Sequence, residues 1–228
     1  LLVGAGTLVF ALSVTKAHRP DAGEVPASYP SMFVFGLKSL LGSVPPVESF
    51  RIDQALVGAF FTPSVLGLYV VAFGYTNLPG FIAKGIGGIA YPHVAENRSF
   101  RSVWRFFFLS LLISAPLAVV FASLASFLLP LLFGESFNRA IPLVGILFIE
   151  NVLTSGRRVL SDGMRGVGAP GAGTVSELAY LVLLVILVPV MTPLGVRGFV
   201  AAMAVAAAGS LILMIMLTLR QSRRTKNA

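Results

Sequence analysis

The chain has 228 residues, 56% of them hydrophobic and 11% charged, with a mean hydropathy of +0.89. Soluble domains carry roughly a quarter charged residues, so this composition excludes an ordinary soluble domain, and the absence of cysteine excludes disulfides and thiolate metal sites. The net charge of +8 raises nucleic acid as a partner, a reading that the placement of the cations removes.

Several apolar runs reach the roughly 20 residues that a helix needs to cross the hydrocarbon layer. The expected fold is an all-α polytopic transmembrane helix bundle of about seven spans. Residues 1–15 have no initiator Met and no charged leader, and are expected to be the end of a truncated transmembrane helix, the chain being a fragment. Residues 16–30, "KAHRPDAGEVPASYP", form a cytoplasmic loop, residues 31–219 a six-helix transmembrane bundle, and residues 220–228 a basic cytoplasmic tail. Within the bundle, breaks at Pro, Gly and charge clusters give spans of about 32–59, 65–91, 106–133, 140–164, 175–190 and 198–219.

Cations alternate between the connecting segments. One set holds Lys16 and Arg19, then Arg98, Arg101 and Arg105, then Arg165, then Arg220, Arg223, Arg224 and Lys226. The other set holds none in "FTPS", then only Arg139 and only Arg197. This alternation follows the positive-inside rule with a cytoplasmic C-terminus. The surplus charge is therefore topological, and nucleic acid is not expected as a partner.

Ionisable residues at membrane depth are costly and usually face a protein interior or a wet cavity. In the second span "VPPVESFRIDQAL" places Glu48, Arg51 and Asp53 near the middle or beyond it. Glu48 and Arg51 stand three apart and can neutralise each other on a helix, whereas Asp53 needs another partner. In the fifth span Glu150, Thr154, Arg157, Ser161 and Arg165 recur at helical spacing as one polar stripe, with Arg158 and Asp162 beside it. Such a stripe, mainly cationic toward the cytoplasm, suits a cavity for an anionic cargo. For Lys38, Lys84, Arg157, Arg158 and Glu177, nearer the cytoplasmic side, the structural alternative is snorkelling to the headgroups.

Pro45-Pro46 should break the second span, and broken helices at membrane depth face protein or water. Glycine around Lys84, in "GFIAKGIGGIAYP", fits either a bend or tight helix packing. In the last span Gly198, Ala202, Ala206 and Ser210 repeat every four residues, the small-residue seam of closely packed membrane helices.

"FRIDQALVGAFFTPSVLGLYVVA", followed by "IAYPHVAENRS", resembles the C-terminal half of the polysaccharide-biosynthesis flippases of the multidrug/oligosaccharidyl-lipid/polysaccharide (MOP) exporter superfamily. "LLPLLFGESFNRAIPLVGIL" is similar to that family's helix–turn–helix junction, and "MTPLGVRGFVAAMAVA" to its final turn and small-residue helix. The resemblance covers about 31–219. It implies the C-terminal bundle of a MATE-like transporter with two bundles around a central cavity, and alternating-access export of a polyprenyl-pyrophosphate-linked oligosaccharide. It also implies residence in a bacterial or archaeal inner membrane. The matching features are an Arg-x-Asp (Arg51, Asp53) near the end of one helix, a Gly-x-Tyr (Gly67, Tyr69) opening the next and a proline (Pro92) closing it, and only Arg51 and Asp53 carry over as site residues.

On this reading Arg157, Arg158, Lys84 and Lys38 attract the pyrophosphate. Glu48, Arg51, Asp53 and Glu150 line the deeper cavity, with a carboxylate coupling export to a proton or sodium gradient. Membrane lipids are the surrounding partner. A multidrug or metabolite exporter of the same superfamily is the alternative, for which a carboxylate-rich cavity would be expected. A membrane glycosyltransferase or O-antigen polymerase needs concentrated catalytic groups at an aqueous face. His18 and His93, the only histidines, have no metal-ligand spacing, so neither an enzyme nor a cofactor or metal is expected. A non-transporting scaffold would leave the polar stripe without a purpose.

Overall fold

The computed structural model describes residues 30, 32–34, 36–37, 46–78 and 80–227. Two compact units are present, Leu1–Val34 and Phe35–Ala228, and the helices labelled α1 to α8 all lie in the second. The expected first span lies outside the described residues, as do Lys38 and the rest of 38–45 in the second.

Among the described residues the second span is broken at Phe50–Arg51. A single turn, α1 (Pro46–Ser49), begins at the second proline, and α2 (Ile52–Phe60) follows. Between them Arg51 adopts a left-handed conformation, φ 51° and ψ 41°. A non-glycine residue there crowds its own Cβ, which is why such residues end helices and rarely continue them. The break also corrects the expected Glu48–Arg51 helical pair, because no continuous helix carries the two residues three apart.

Phe61 is extended, and Pro63 opens α3 (Pro63–Thr76) at a position where a missing N–H costs nothing. The third span is bent: α4 (Gly80–Asn97) leaves α3 at 50° across the Asn77–Gly80 junction. Arg98, φ 46°, ends α4, and α5 (Phe100–Phe133) follows. At 1.5 Å per residue its 34 residues are roughly 50 Å long, beyond the ~30 Å hydrocarbon layer. Gly134, φ 94°, stops it, and a 3-10 turn (Glu135–Ala140) leads into α6 (Ile141–Gly166).

Gly168, φ 85°, closes α6. Its amide donates to Arg165 O, and the amide of Ala169 donates to Met164 O, the paired bonds of a Schellman cap. α7 (Gly171–Met191) and α8 (Val196–Asn227) complete the chain. α8 continues helically through the basic residues at its end. No strand occurs among the described residues. Among the described residues, four helical segments are long and apolar enough to cross a membrane, or five if bent α3–α4 is one span. The chain is thus an all-α polytopic helix bundle.

α6 is the hub: it packs on α4, α5 and α8, with smaller contacts to α3 and α7. It is also the least apolar of the four long segments. The polar helix is enclosed while the apolar ones face outward, as a hydrocarbon solvent demands. On α5, Phe108, Leu112, Val119, Phe127 and Leu131 are exposed along one side; on α7, Val182, Ile186 and Val190 are.

Small residues let the hub's neighbours close in. An added Cβ at Gly163 of α6 would lie 2.8 Å from the Val103 side chain of α5. On α4, Gly80 abuts Asn151 and Gly87 abuts Asp162, so these two glycines serve packing on α6, while Gly85 and Gly88 meet nothing within 4 Å. The seam Gly198, Ala202, Ala206 and Ser210 of α8 is buried, as expected for a packing face.

Candidate functional site

The polar stripe of α6 meets polar side chains from α2, the α3–α4 junction and α7 around a cavity of about 50 Å³. A water needs about 10–15 Å³ of such space, so within this chain the cavity admits a few waters or a small ion. Asp53, Glu150, Arg157, Arg158 and Glu177 line it, with Asn77, Asn151, Thr154 and Tyr180.

Each charged group is held by specific partners. Asp53 enters from the first turn of α2, 1% exposed, and accepts a 2.7 Å hydrogen bond from the Tyr69 hydroxyl of α3 on Oδ2. Its Oδ1 has no hydrogen-bond partner among the described residues. Glu150, near the middle of α6, accepts bonds on Oε1 from Thr154 Oγ1 (2.8 Å) and the Tyr180 hydroxyl of α7 (3.2 Å). Arg157 ion-pairs with Glu177 of α7 and lies over the Tyr180 ring, 5.3 Å from its centroid. Asn151 Nδ2 donates to Asn77 Oδ1, 2.9 Å, joining α6 to the α3–α4 bend.

Of the residues singled out from the sequence, Asp53, Glu150, Arg157 and Arg158 are brought to the cavity. Arg51 is exposed at the helix break and lies outside the lining. Glu48 and Lys84 stand on α1 and α4, but their side chains lie outside the described structure.

Two expectations change. Arg157 and Glu177 do not snorkel: at 5% and 4% exposure they bind each other inside the bundle. The stripe is not predominantly cationic either, because neighbours neutralise it. Glu177 pairs with Arg157, Asp162 pairs with Arg165, and the cavity lining holds three carboxylates beside two guanidiniums.

Sequence reasoning missed Tyr69, Tyr180, Asn77 and Asn151. Glu177 and Tyr180 stand three apart, which puts them on one face of α7, and that spacing was readable. Asn77 precedes the Leu78-Pro79-Gly80 breaker, a signal for a bend at membrane depth.

A second cluster lies farther along α6. Asp162 pairs with Arg165, whose guanidinium stands 5.4 Å from the Tyr91 ring centroid of α4. It ties α4 to α6 and takes no part in the cavity lining.

A family model described as "Polysaccharide biosynthesis protein" matches residues 1–142. A teichuronic acid biosynthesis protein of Bacillus subtilis (strain 168), TuaB, is 29% identical over 127 residues, covering 53% of this chain and 26% of the relative. The chain thus spans about a quarter of the length of the curated relative it matches. No solved structure matches it.

Proposed function

This chain belongs to the polysaccharide biosynthesis protein family, and on that premise we propose that it forms part of a flippase. The cargo is a polyprenyl-pyrophosphate-linked oligosaccharide, moved across the cytoplasmic membrane by alternating access. The protein is a transporter and not an enzyme. It is a multi-pass protein of a bacterial or archaeal inner membrane, with its C-terminus in the cytoplasm.

The observation that carries this reading is a network of acidic, basic and amide side chains enclosed around a small polar cavity. Burying charges in an apolar bundle costs several kcal/mol per ion before pairing repays it. Packing alone would be served by apolar residues of similar volume. Arg157 and Arg158 provide guanidiniums, which match phosphate geometry in a bidentate way. A pyrophosphate would displace Glu177 from Arg157, exchanging one anionic partner for another. Lys84 and Lys38 would add to this field, and Glu48 and Arg51 complete the set from the broken second span.

Asp53 is the coupling carboxylate in this scheme. Its second oxygen has no hydrogen-bond partner among the described residues, and the adjoining space accommodates a proton-bearing water or a sodium ion. The test is export of a radiolabelled lipid-linked glycan by the intact protein in proteoliposomes. Neutralising Arg157, Arg158 and Lys84 together should abolish export. Unchanged export would remove the pyrophosphate assignment.

One observation favours a second reading, a metabolite or drug exporter of the same superfamily. Carboxylates outnumber guanidiniums in the described cavity lining by three to two, as a cationic cargo would require. Uptake of organic cations by the same proteoliposomes, competing with the glycan, would favour it.

A further inference from the structure

The outward surface of the bundle differs from place to place. One shallow, open groove, lined by α5 alone, runs along the first part of that helix from Arg105 past Phe108 and Leu112 to Pro116. A neighbouring groove between α5 and α6 has a wholly uncharged lining. The α5 groove is thus distinguished by a guanidinium at its mouth.

That mouth carries more charge. Arg98, Arg101 and Arg105 are all exposed, and they form no ion pair among the described residues. Glu96 stands close in the same turn, so the local balance remains positive. Arg101 and Arg105 are four apart on α5 and therefore share one side of the helix. Trp104, beside Arg105 in sequence, packs against Phe107 and Phe108, ring centroids 5.7 and 6.1 Å away. Tryptophan favours the depth where headgroups meet hydrocarbon.

The dimensions then select an occupant. From Arg105 to Pro116 is eleven helical steps, roughly 16 Å at 1.5 Å each. Half of a ~30 Å hydrocarbon layer is about 15 Å. Starting at headgroup depth, the groove therefore runs the thickness of one leaflet and stops near the midplane.

We propose that this face of α5 is a binding site for an anionic phospholipid of the leaflet at its arginine-rich end, with the phosphate between Arg101 and Arg105 and an acyl chain along Phe108 and Leu112 to Pro116. Charge complementarity fixes the head and groove length fixes the tail. A zwitterionic lipid would fill the same groove without gaining from two unneutralised guanidiniums. The site is separate from the polar cavity and does not depend on what the protein transports.

The intact protein, purified with bilayer lipid and challenged with equimolar phosphatidylglycerol and phosphatidylcholine, would be read by native mass spectrometry. Each basic group near an anionic surface contributes about 1 kcal/mol. Arg101→Gln with Arg105→Gln should therefore lower phosphatidylglycerol retention roughly thirtyfold and leave phosphatidylcholine unchanged. Arg139→Gln with Arg197→Gln, on other connecting segments, should not lower it. Leu112→Trp should reduce retention of the long-chain lipid but not of dihexanoyl phosphatidylglycerol, whose chains end short of that residue.

Equal retention of the two headgroups by the native protein would overturn the proposal. So would an equal loss in the Arg139/Arg197 variant, or displacement of phosphatidylglycerol by equimolar polyprenyl phosphate, which would make the groove a seat for the carrier lipid.

Discussion

Arg157 and Glu177 form a contact whose removal has opposite consequences depending on how it is done. Deleting the guanidinium alone strands a carboxylate in the bundle interior, and breaking a buried pair from one side costs about 3 kcal/mol or more. Deleting both charges removes that burden. Arg157→Gln is expected to destabilise the intact protein strongly in detergent unfolding, and Arg157→Gln/Glu177→Gln to recover much of the loss. Equal destabilisation by the single and double variants would show that the pair is not coupled. Asp53 invites a different comparison. Tyr69→Phe removes one neutral donor to a buried carboxylate, at a cost of about 1–2 kcal/mol. Asp53→Asn should cost export its dependence on the ion gradient while glycan binding persists, read by transport with and without an imposed gradient.

These groups show what was readable in advance. Asp53, Glu150 and Arg157 declared themselves because a charge at membrane depth is conspicuous against hydrocarbon. Their partners did not. Tyr69 and Tyr180 look like any aromatic residue in an apolar helix until α3 and α7 are placed beside α2 and α6. The sign of the α6 stripe was misread for the same reason, since Glu177, which neutralises Arg157, comes from another helix.

Helix boundaries were easier to read than helix contacts. Gly134, Gly168 and Gly195 stop or turn the chain with positive φ, and each sits where the apolar pattern ends. The second span is interrupted between Ser49 and Ile52, whereas the break expected at Pro45-Pro46 falls at the edge of the described residues. The break at Arg51 had no glycine or proline to announce it, whereas the bend between α3 and α4 was signalled by Pro79-Gly80 and passed over inside what reads as one span. Close approach also leaves a testable pattern. Gly163→Leu should force α5 away from α6, because even a Cβ at Gly163 meets Val103 at 2.8 Å. Gly85→Ala, where nothing lies within 4 Å, should be neutral or gain up to about 1 kcal/mol of helix propensity. Detergent-solubilised yield and unfolding midpoint of the two variants would separate these outcomes. If both behaved alike, the glycines of α4 and α6 would have no positional meaning.

For the chain as a unit, the absence of cysteine makes topology directly measurable. Single cysteines at Ser99 and Ser222 should react with a membrane-impermeant maleimide only after the membrane is opened. Cysteines at Ser136 and Thr192 should react in intact cells. The opposite pattern would invert the orientation inferred from the arginine alternation. The same measurement covers residues 1–45, most of which lie outside the described structure, and would count the spans there.

α6 carries the greatest polar load among the long helices and is wrapped by most of the others. A nascent helix with Glu150, Arg157, Arg158, Asp162 and Arg165 partitions poorly into lipid by itself. It emerges from the ribosome after α4 and α5 but before Glu177 and α8. During biogenesis, then, the hub should linger at the translocon until α7 delivers its counter-ion. Truncating the nascent chain just after Gly168 should therefore leave α6 incompletely inserted, a defect absent from chains that extend past Met191.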